Sequence, residues 1–166
     1  FSFNANAFNL IELNQGVNNV DLNDDGLIDY ALLAQYDNNK SHLSQTITFY
    51  VHKPEGGYSI MPSIVDDEFP YFSLSLSGST VTVSGFSLVR YKDKIYFSTA
   101  DKSIINAYDD QFFDYVLYEF ISSDEHPGTP LFHWQKVFSA TSINKYNSAN
   151  QAFTELGSLL ANFEPG

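Results

Sequence analysis

Hydrophobic and polar positions divide the chain into short apolar or alternating runs, separated by clusters of Gly, Pro, Asn and Asp. Phe8 to Leu13 reads as a short strand turned at Asn14-Gln15-Gly16, and Asp21 to Asp29 as a polar loop carrying Gly26. Tyr30 to Tyr36 and Thr46 to His52 are two further runs, parted by Asp37-Asn38-Asn39-Lys40-Ser41. Pro54-Glu55-Gly56-Gly57 makes a turn, because Gly and Pro punctuate regular structure. Tyr71 to Leu76, Thr80 to Val83 and Phe86 to Tyr91 predict three strands, with Gly78 and Gly85 as their punctuation. Ile95 to Thr99 follows the turn Lys92-Asp93-Lys94. Phe112 to Ile121 and Leu131 to Ser139 are the longest strand segments, joined through Glu125-His126-Pro127-Gly128. Short strands with regular turn signals predict an all-β fold, an antiparallel β-sandwich. Aromatic residues on both faces of Phe112 to Ile121 mark a strand buried on two sides, against either a partner subunit or a covering helix.

The period changes at the C-terminus. Ala149, Ala152, Phe153, Leu156, Leu159, Leu160 and Phe163 recur at steps of three and four, which makes one apolar face of a short α-helix. Ser148 and Gln151 have the spacing of a capping box, and Pro165-Gly166 ends the run. With no internal repeat and no linker-like composition, residues 1–166 read as one domain.

Composition sharpens this picture. The 166 residues include 15 Phe and 11 Tyr, enough apolar material for a packed interior of sheet type. Eight basic against twenty acidic residues give a formal net charge of −12, which repels phosphate backbones and anionic lipid. Nucleic acid and membrane insertion are therefore not expected, and no apolar run approaches the roughly 18 residues that span a bilayer. Basic proteins and divalent cations suit the charge better. Zero Cys excludes disulfides, zinc thiolates and a Cys nucleophile. The chain starts at Phe1, and Ala5-Asn6-Ala7 has the small-x-small form of a signal-peptidase site. Export with removal of a signal peptide is the expectation.

One loop carries candidate chemistry. In Asp21-Leu22-Asn23-Asp24-Asp25-Gly26-Leu27-Ile28-Asp29, oxygen side chains fall at positions one, three, five and nine, with Gly at six. Such spacing wraps a chain around a hard cation, and Leu27 at position seven would offer its backbone carbonyl. Position twelve is Leu32 rather than a bidentate Glu, and a strand follows, so this is no EF-hand. Asp21, Asn23, Asp25, Leu27 and Asp29 are the expected ligands of a divalent cation. Calcium is favoured by the all-oxygen set and the flexible loop, in a structural role. The competing reading is an Asx-rich turn that satisfies its own backbone.

Catalytic groupings are harder to find. No two of His42, His52, His126 and His133 have the i, i+4 spacing of a metalloprotease, and no G-x-S-x-G element occurs. Ser142-Ile143-Asn144-Lys145 matches the S-x-x-K pattern of penicillin-recognising enzymes, but the Lys-Thr-Gly element is missing and Tyr36-Asp37-Asn38 precedes the Ser. Asp114 and Glu119 are an odd number of positions apart and face opposite sides of their strand. Asp66-Asp67-Glu68 reads as a solvated loop. Arg90, the one Arg, lies with Lys92 and Lys94 in a basic turn that could hold a carboxylate, although a solvated hairpin is the plainer reading.

The run Gly16 to Gly26, with Asp37-Asn38-Asn39-Lys40-Ser41-His42 and Thr48-Phe49-Tyr50-Val51 after it, resembles the CarG-like carbapenem intrinsic resistance proteins. The resemblance implies a periplasmic β-sandwich with terminal helices, a homodimer, and non-hydrolytic protection against a carbapenem. It supplies no antibiotic-contacting residues. A related sandwich occurs in periplasmic inhibitors of invertebrate-type lysozyme, which insert a Ser-Gly loop into a basic enzyme. Ser77-Gly78-Ser79-Thr80 and Ser84-Gly85 are the candidates here, although neither has the expected Tyr and basic residues close behind it.

Overall fold

The computed structural model describes residues 8–39, 41–62, 69–76, 81–124 and 126–166. Ala5-Asn6-Ala7, Asp66-Asp67-Glu68 and Ser77-Gly78-Ser79-Thr80 lie outside them. The strands are β1 (Phe8–Ile11), β2 (Gly16–Val20), β3 (Asp29–Tyr36), β4 (Ser44–His52), β5 (Tyr58–Met61) and β6 (Tyr71–Phe72). Then come β7 (Leu74–Ser75), β8 (Thr82–Tyr91), β9 (Lys94–Lys102), β10 (Phe113–Ser122) and β11 (Phe132–Thr141). Helix α1 (Ala149–Leu159) continues into a 3₁₀ turn, Leu160–Asn162.

Two antiparallel sheets result. Sheet A runs β1-β8-β9-β10-β11 with β7 also on β8, and sheet B runs β2-β3-β4-β5 with β6 also on β4. The expected all-β sandwich with a C-terminal helix is what forms. The chain passes from sheet B to sheet A at Ser73, which bonds Gln45 through both its backbone N–H and its hydroxyl oxygen before Leu74 pairs with Ser84.

Strand alternation sends sheet A side chains into two cores. Toward sheet B, Leu88, Ile95, Phe97 and Trp134 meet Ala31, Ile47, Phe49, Val51 and Met61. The centre of this layer is aromatic, with Phe49, Phe97 and Trp134 ring centroids 5.2 to 5.7 Å apart. On the other face, Val89, Tyr91, Tyr96, Phe113, Tyr115 and Leu117 receive α1 and the turn after it through Ala152, Phe153, Leu156, Leu160 and Phe163. The two-sided burial of β10 is thus explained by the helix. By contrast, the outward positions of β3, β4 and β5, including Tyr30, Leu32, Tyr50, His52, Tyr58 and Ile60, carry no Asp, Glu, Lys or Arg.

Three details differ from the sequence reading. Thr82 to Tyr91 is one strand, and Gly85 is no turn: a Cβ there would come within 2.7 Å of the Ala149 Cβ, so Gly85 lets the helix seat on the sheet. Tyr71 to Leu76 splits between the two sheets. Strands β2 and β5 form where the patterning predicts no strand.

The helix is anchored by an unexpected group. Glu155 is buried, and its carboxylate accepts the backbone N–H groups of Ile143 and Asn144 at 2.6 and 2.9 Å. It also accepts the Asn144 amide at 2.9 Å and the Tyr146 hydroxyl at 3.0 Å. Burial pushes this carboxyl up, but the four hydrogen bonds outweigh it and hold it below the ordinary glutamate value of 4.5. A depressed folded-state value stabilises the fold fully above the unfolded value, and that contribution is lost as pH falls through the lower one. Acid unfolding of the parent protein is therefore expected to lose stability below pH 4.5, with a shallower loss for Glu155→Gln. Melting curves across pH 3 to 7 (roughly the range carboxylates titrate) check this, and parallel curves for the two proteins would refute it.

Candidate ligand site at the loop end of the sandwich

Four segments converge at one end of the two sheets: the Asp21–Asp29 loop, the β8–β9 turn, the β4–β5 turn, and the β10 and β11 ends that carry Phe120 and Phe132. The loop is held by Asp29, which is fully buried at 0% exposure. Its two carboxylate oxygens accept the backbone N–H groups of Leu22 and His52, both at 2.8 Å. One side chain therefore ties both ends of the loop to the last residue of β4. Burial pushes the Asp29 carboxyl above its ordinary value against the lowering effect of those two bonds, and the charges of Asp25 and Asp21 add to the rise.

The rest of the loop closes on itself. Asp21 accepts the N–H groups of Asp25 and Gly26 at 3.1 and 2.8 Å. Asp25 accepts the N–H of Leu27 at 2.8 Å and the Asn23 amide at 3.2 Å. Gly26 has φ +81°, where glycine carries no steric penalty. Each oxygen of the three predicted carboxylate ligands thus already holds one donor, the geometry of an Asx-rich turn. Among the described residues, no three His, Cys, Asp or Glu side chains gather in a metal-binding group. Asn23 is the exception to this satisfaction, since its Oδ1 is buried and holds no donor. Of the five expected ligands, Asp21, Asn23, Asp25 and Leu27 stay on the loop, whereas Asp29 turns inward as its anchor.

Two cavities flank the loop and share Asn23 and Phe120. One, of about 410 Å³, includes Asp25, His52 and Phe132. The other, of about 480 Å³, lies under the β8–β9 turn. Its apolar wall is Leu22, Ile95 and Phe120, all packed into or against the inter-sheet core. Its lining also holds Arg90, Lys92, Asp93 and Lys94 of the turn and Asp21 and Asp24 of the loop. Lys92 pairs with Glu164 at 3.6 Å, and Lys94 pairs with Glu119. A third cavity, also about 410 Å³, opens near the helix N-terminus among Leu10, Leu13, Leu33, Phe86, Phe153 and Gln45, with no charged side chain in its lining. Sequence patterning marked Leu22, Ile95 and Phe120 as nothing beyond strand or loop positions. Their role comes from lying at the end of the core, which no local signal encodes.

The suspected catalytic residues are engaged elsewhere. Ser142 is buried; its hydroxyl donates to the Asn144 carbonyl at 2.6 Å and accepts the Phe113 N–H at 2.9 Å. Lys145 Nζ lies 5.2 Å from the Phe112 ring centroid. Asp114 accepts the Thr141 hydroxyl, and Glu119 holds Lys94. Ser84-Gly85 lies within β8 under the helix and does not protrude as an inhibitory loop.

The fold is an antiparallel sandwich with a helix over one sheet and cavities of a few hundred Å³ at the loop end. The family model described as "Carbapenem resistance protein CarG-like" matches residues 13–155. A solved structure described as "Crystal structure of CarG" superposes with a TM-score of 0.84 at 39% identity, covering 89% of this chain and 94% of that one. The comparison with curated proteins finds no significant match. The chain belongs to the CarG-like family of carbapenem resistance proteins.

Removing the anchor tests how this end is built. Asp29→Ala leaves the buried Leu22 N–H and the half-buried His52 N–H without acceptors, the buried one costing about 1–3 kcal/mol and the other less. A loss of about 3 kcal/mol is expected in urea unfolding. A change within about 0.5 kcal/mol would show that the loop does not depend on this carboxylate.

Proposed function

We propose that this protein protects against a carbapenem by binding or shielding it without hydrolysis, and that it acts in the periplasm. The observation that supports the non-hydrolytic part is the commitment of Ser142. A nucleophile needs a free hydroxyl beside a base, whereas this hydroxyl is buried between two backbone partners, with the Lys145 ammonium drawn to an aromatic ring. Family membership supplies the antibiotic class. The loop-end cavities supply spaces of ligand size, and pockets of a few hundred Å³ hold small molecules.

Purified protein mixed with a carbapenem is expected to leave the β-lactam absorbance unchanged over hours. In the same system, the chain directed to the periplasm of a sensitive strain raises resistance, and Ser142→Ala retains whatever protection its stability allows. Turnover by the pure protein that Ser142→Ala abolishes would overturn the reading.

A divalent cation on the Asp21 loop is part of the proposal, with calcium the ion of choice. The buried, donorless Asn23 Oδ1 supports it, since an oxygen in that state gains most from a cation. Millimolar calcium is expected to raise the melting temperature, and Asn23→Ala to cancel the rise, because binding to the folded state alone stabilises it. An unchanged melting temperature would leave the loop to its own hydrogen bonds.

A further inference from the structure

We propose that Arg90 is the carboxylate-binding residue of this protein, and that a carbapenem lies in the cavity between the β8–β9 turn and the Asp21 loop. This rests on the binding reading above and assigns it a place. Every carbapenem of the antibiotic class carries a ring carboxylate beside a compact, largely apolar bicycle. A site for it needs a cation at hydrogen-bonding range, an apolar wall, and a few hundred Å³ of space.

The three cavities are separated by these demands. The one near the helix N-terminus has the apolar wall but no charged lining residue, and a carboxylate buried there would lose its hydration without a partner. The one beside His52 has no Lys or Arg in its lining. The third has all three features: about 480 Å³, the Leu22, Ile95 and Phe120 wall, and the only Arg of the chain.

Within that cavity the cations are not equivalent. Lys92 and Lys94 already hold Glu164 and Glu119. Arg90 is exposed and, among the described residues, makes no ion pair. It is also the side chain whose planar fork fits a carboxylate with two parallel N–H bonds. The molecule as a whole repels an anion at −12, but exposed charges beyond a Debye length of about 8 Å are largely screened at physiological salt. The cavity lining holds Arg90, Lys92 and Lys94 together with Asp21, Asp24 and Asp93, and Glu164 and Glu119 pair with the two lysines, so the pull on an anion comes from Arg90 and not from the local net charge. Both oxygens of Asp21 are turned to the N–H groups of Asp25 and Gly26.

Arg90 stands near the end of β8, paired with Ile95 across the hairpin. Its strand neighbours Val89 and Tyr91 point into the helix-side core, so Arg90 projects on the side of the sheet that faces the loop. Replacing an exposed side chain at this position leaves both cores intact.

Calorimetry of the full chain with imipenem tests the assignment, alongside imipenem methyl ester as a ligand without the carboxylate. Arg90→Gln is expected to weaken imipenem binding about ten- to a hundredfold, the worth of a charge-assisted bidentate pair. Arg90→Lys should recover part of the loss, and the ester should bind the parent protein no better than imipenem binds Arg90→Gln. Backbone amide shifts in NMR on adding imipenem should centre on Leu22, Arg90, Ile95 and Phe120. Equal binding by the parent and Arg90→Gln, or by imipenem and its ester, overturns the Arg90 assignment while leaving carbapenem binding intact. No binding by the parent protein at millimolar imipenem overturns both.

Discussion

Sheet A is buried on both faces, and the rest of the molecule is arranged around that constraint. A strand in such a sheet cannot spare alternate positions for water, so β9 is buried almost throughout and its Ser98 and Lys102 are bonded internally, while the buried Tyr96 hydroxyl holds no partner. Ser98 donates to the Val116 carbonyl at 3.0 Å, and the Lys102 ammonium reaches the Ala107 and Asn147 carbonyls at 2.7 and 2.6 Å. The helix that supplies the second cover has to approach closely. Gly85 permits it, Tyr115 and Tyr91 donate their hydroxyls to the Ala152 and Leu160 carbonyls, and Glu155 secures the chain leading into it. Among the described residues sheet B has no such cover, and its outward face carries neutral aromatic and hydroxyl side chains such as Tyr30, Thr48 and Tyr58.

With sheet A pinned between two layers, variation is left to the ends of the strands, which is where ligand sites on rigid scaffolds generally lie. Here the loop end is made firm by a single buried carboxylate. Asp29 is costly to bury, and two backbone donors that would otherwise lie unpaired, one from the loop and one from β4, offset part of that cost. The loop thereby becomes part of the scaffold, and the cavities beside it inherit walls from the inter-sheet core.

Electrostatics then separates the two kinds of surface. Most of the chain's negative charge is dispersed and exposed, where it serves solubility. Three of its eight basic residues are gathered on one hairpin, at Arg90, Lys92 and Lys94, and folded against an acidic loop. Lys92 and Asp93 take positive φ values of 47° and 64° to make that turn tight, which brings the basic rim over the Leu22 and Phe120 wall.

Alternation and turn chemistry alone made the sandwich legible: β3, β4, β9, β10 and β11 fall close to where the apolar runs placed them, and the three- and four-residue step of Ala149 to Phe163 declared the helix. The family resemblance was likewise carried by local runs. Strand β2 escaped because Asn18 and Asn19 are poor strand formers, and what holds it in the sheet is long-range, with Asn18 donating to the Ala31 carbonyl at 3.1 Å. Gly85 was misread because a glycine that makes a turn and one that admits a helix look alike in a string. Ser142, Asp29 and Glu155 were assigned their roles only by tertiary structure, since a polar side chain's chemistry depends on which backbone donors the fold leaves beside it. Period and composition are properties of neighbouring residues and survive in the sequence, whereas the meeting of Arg90, Leu22 and Phe120 joins positions 30 to 98 residues apart, separations only chain folding can close.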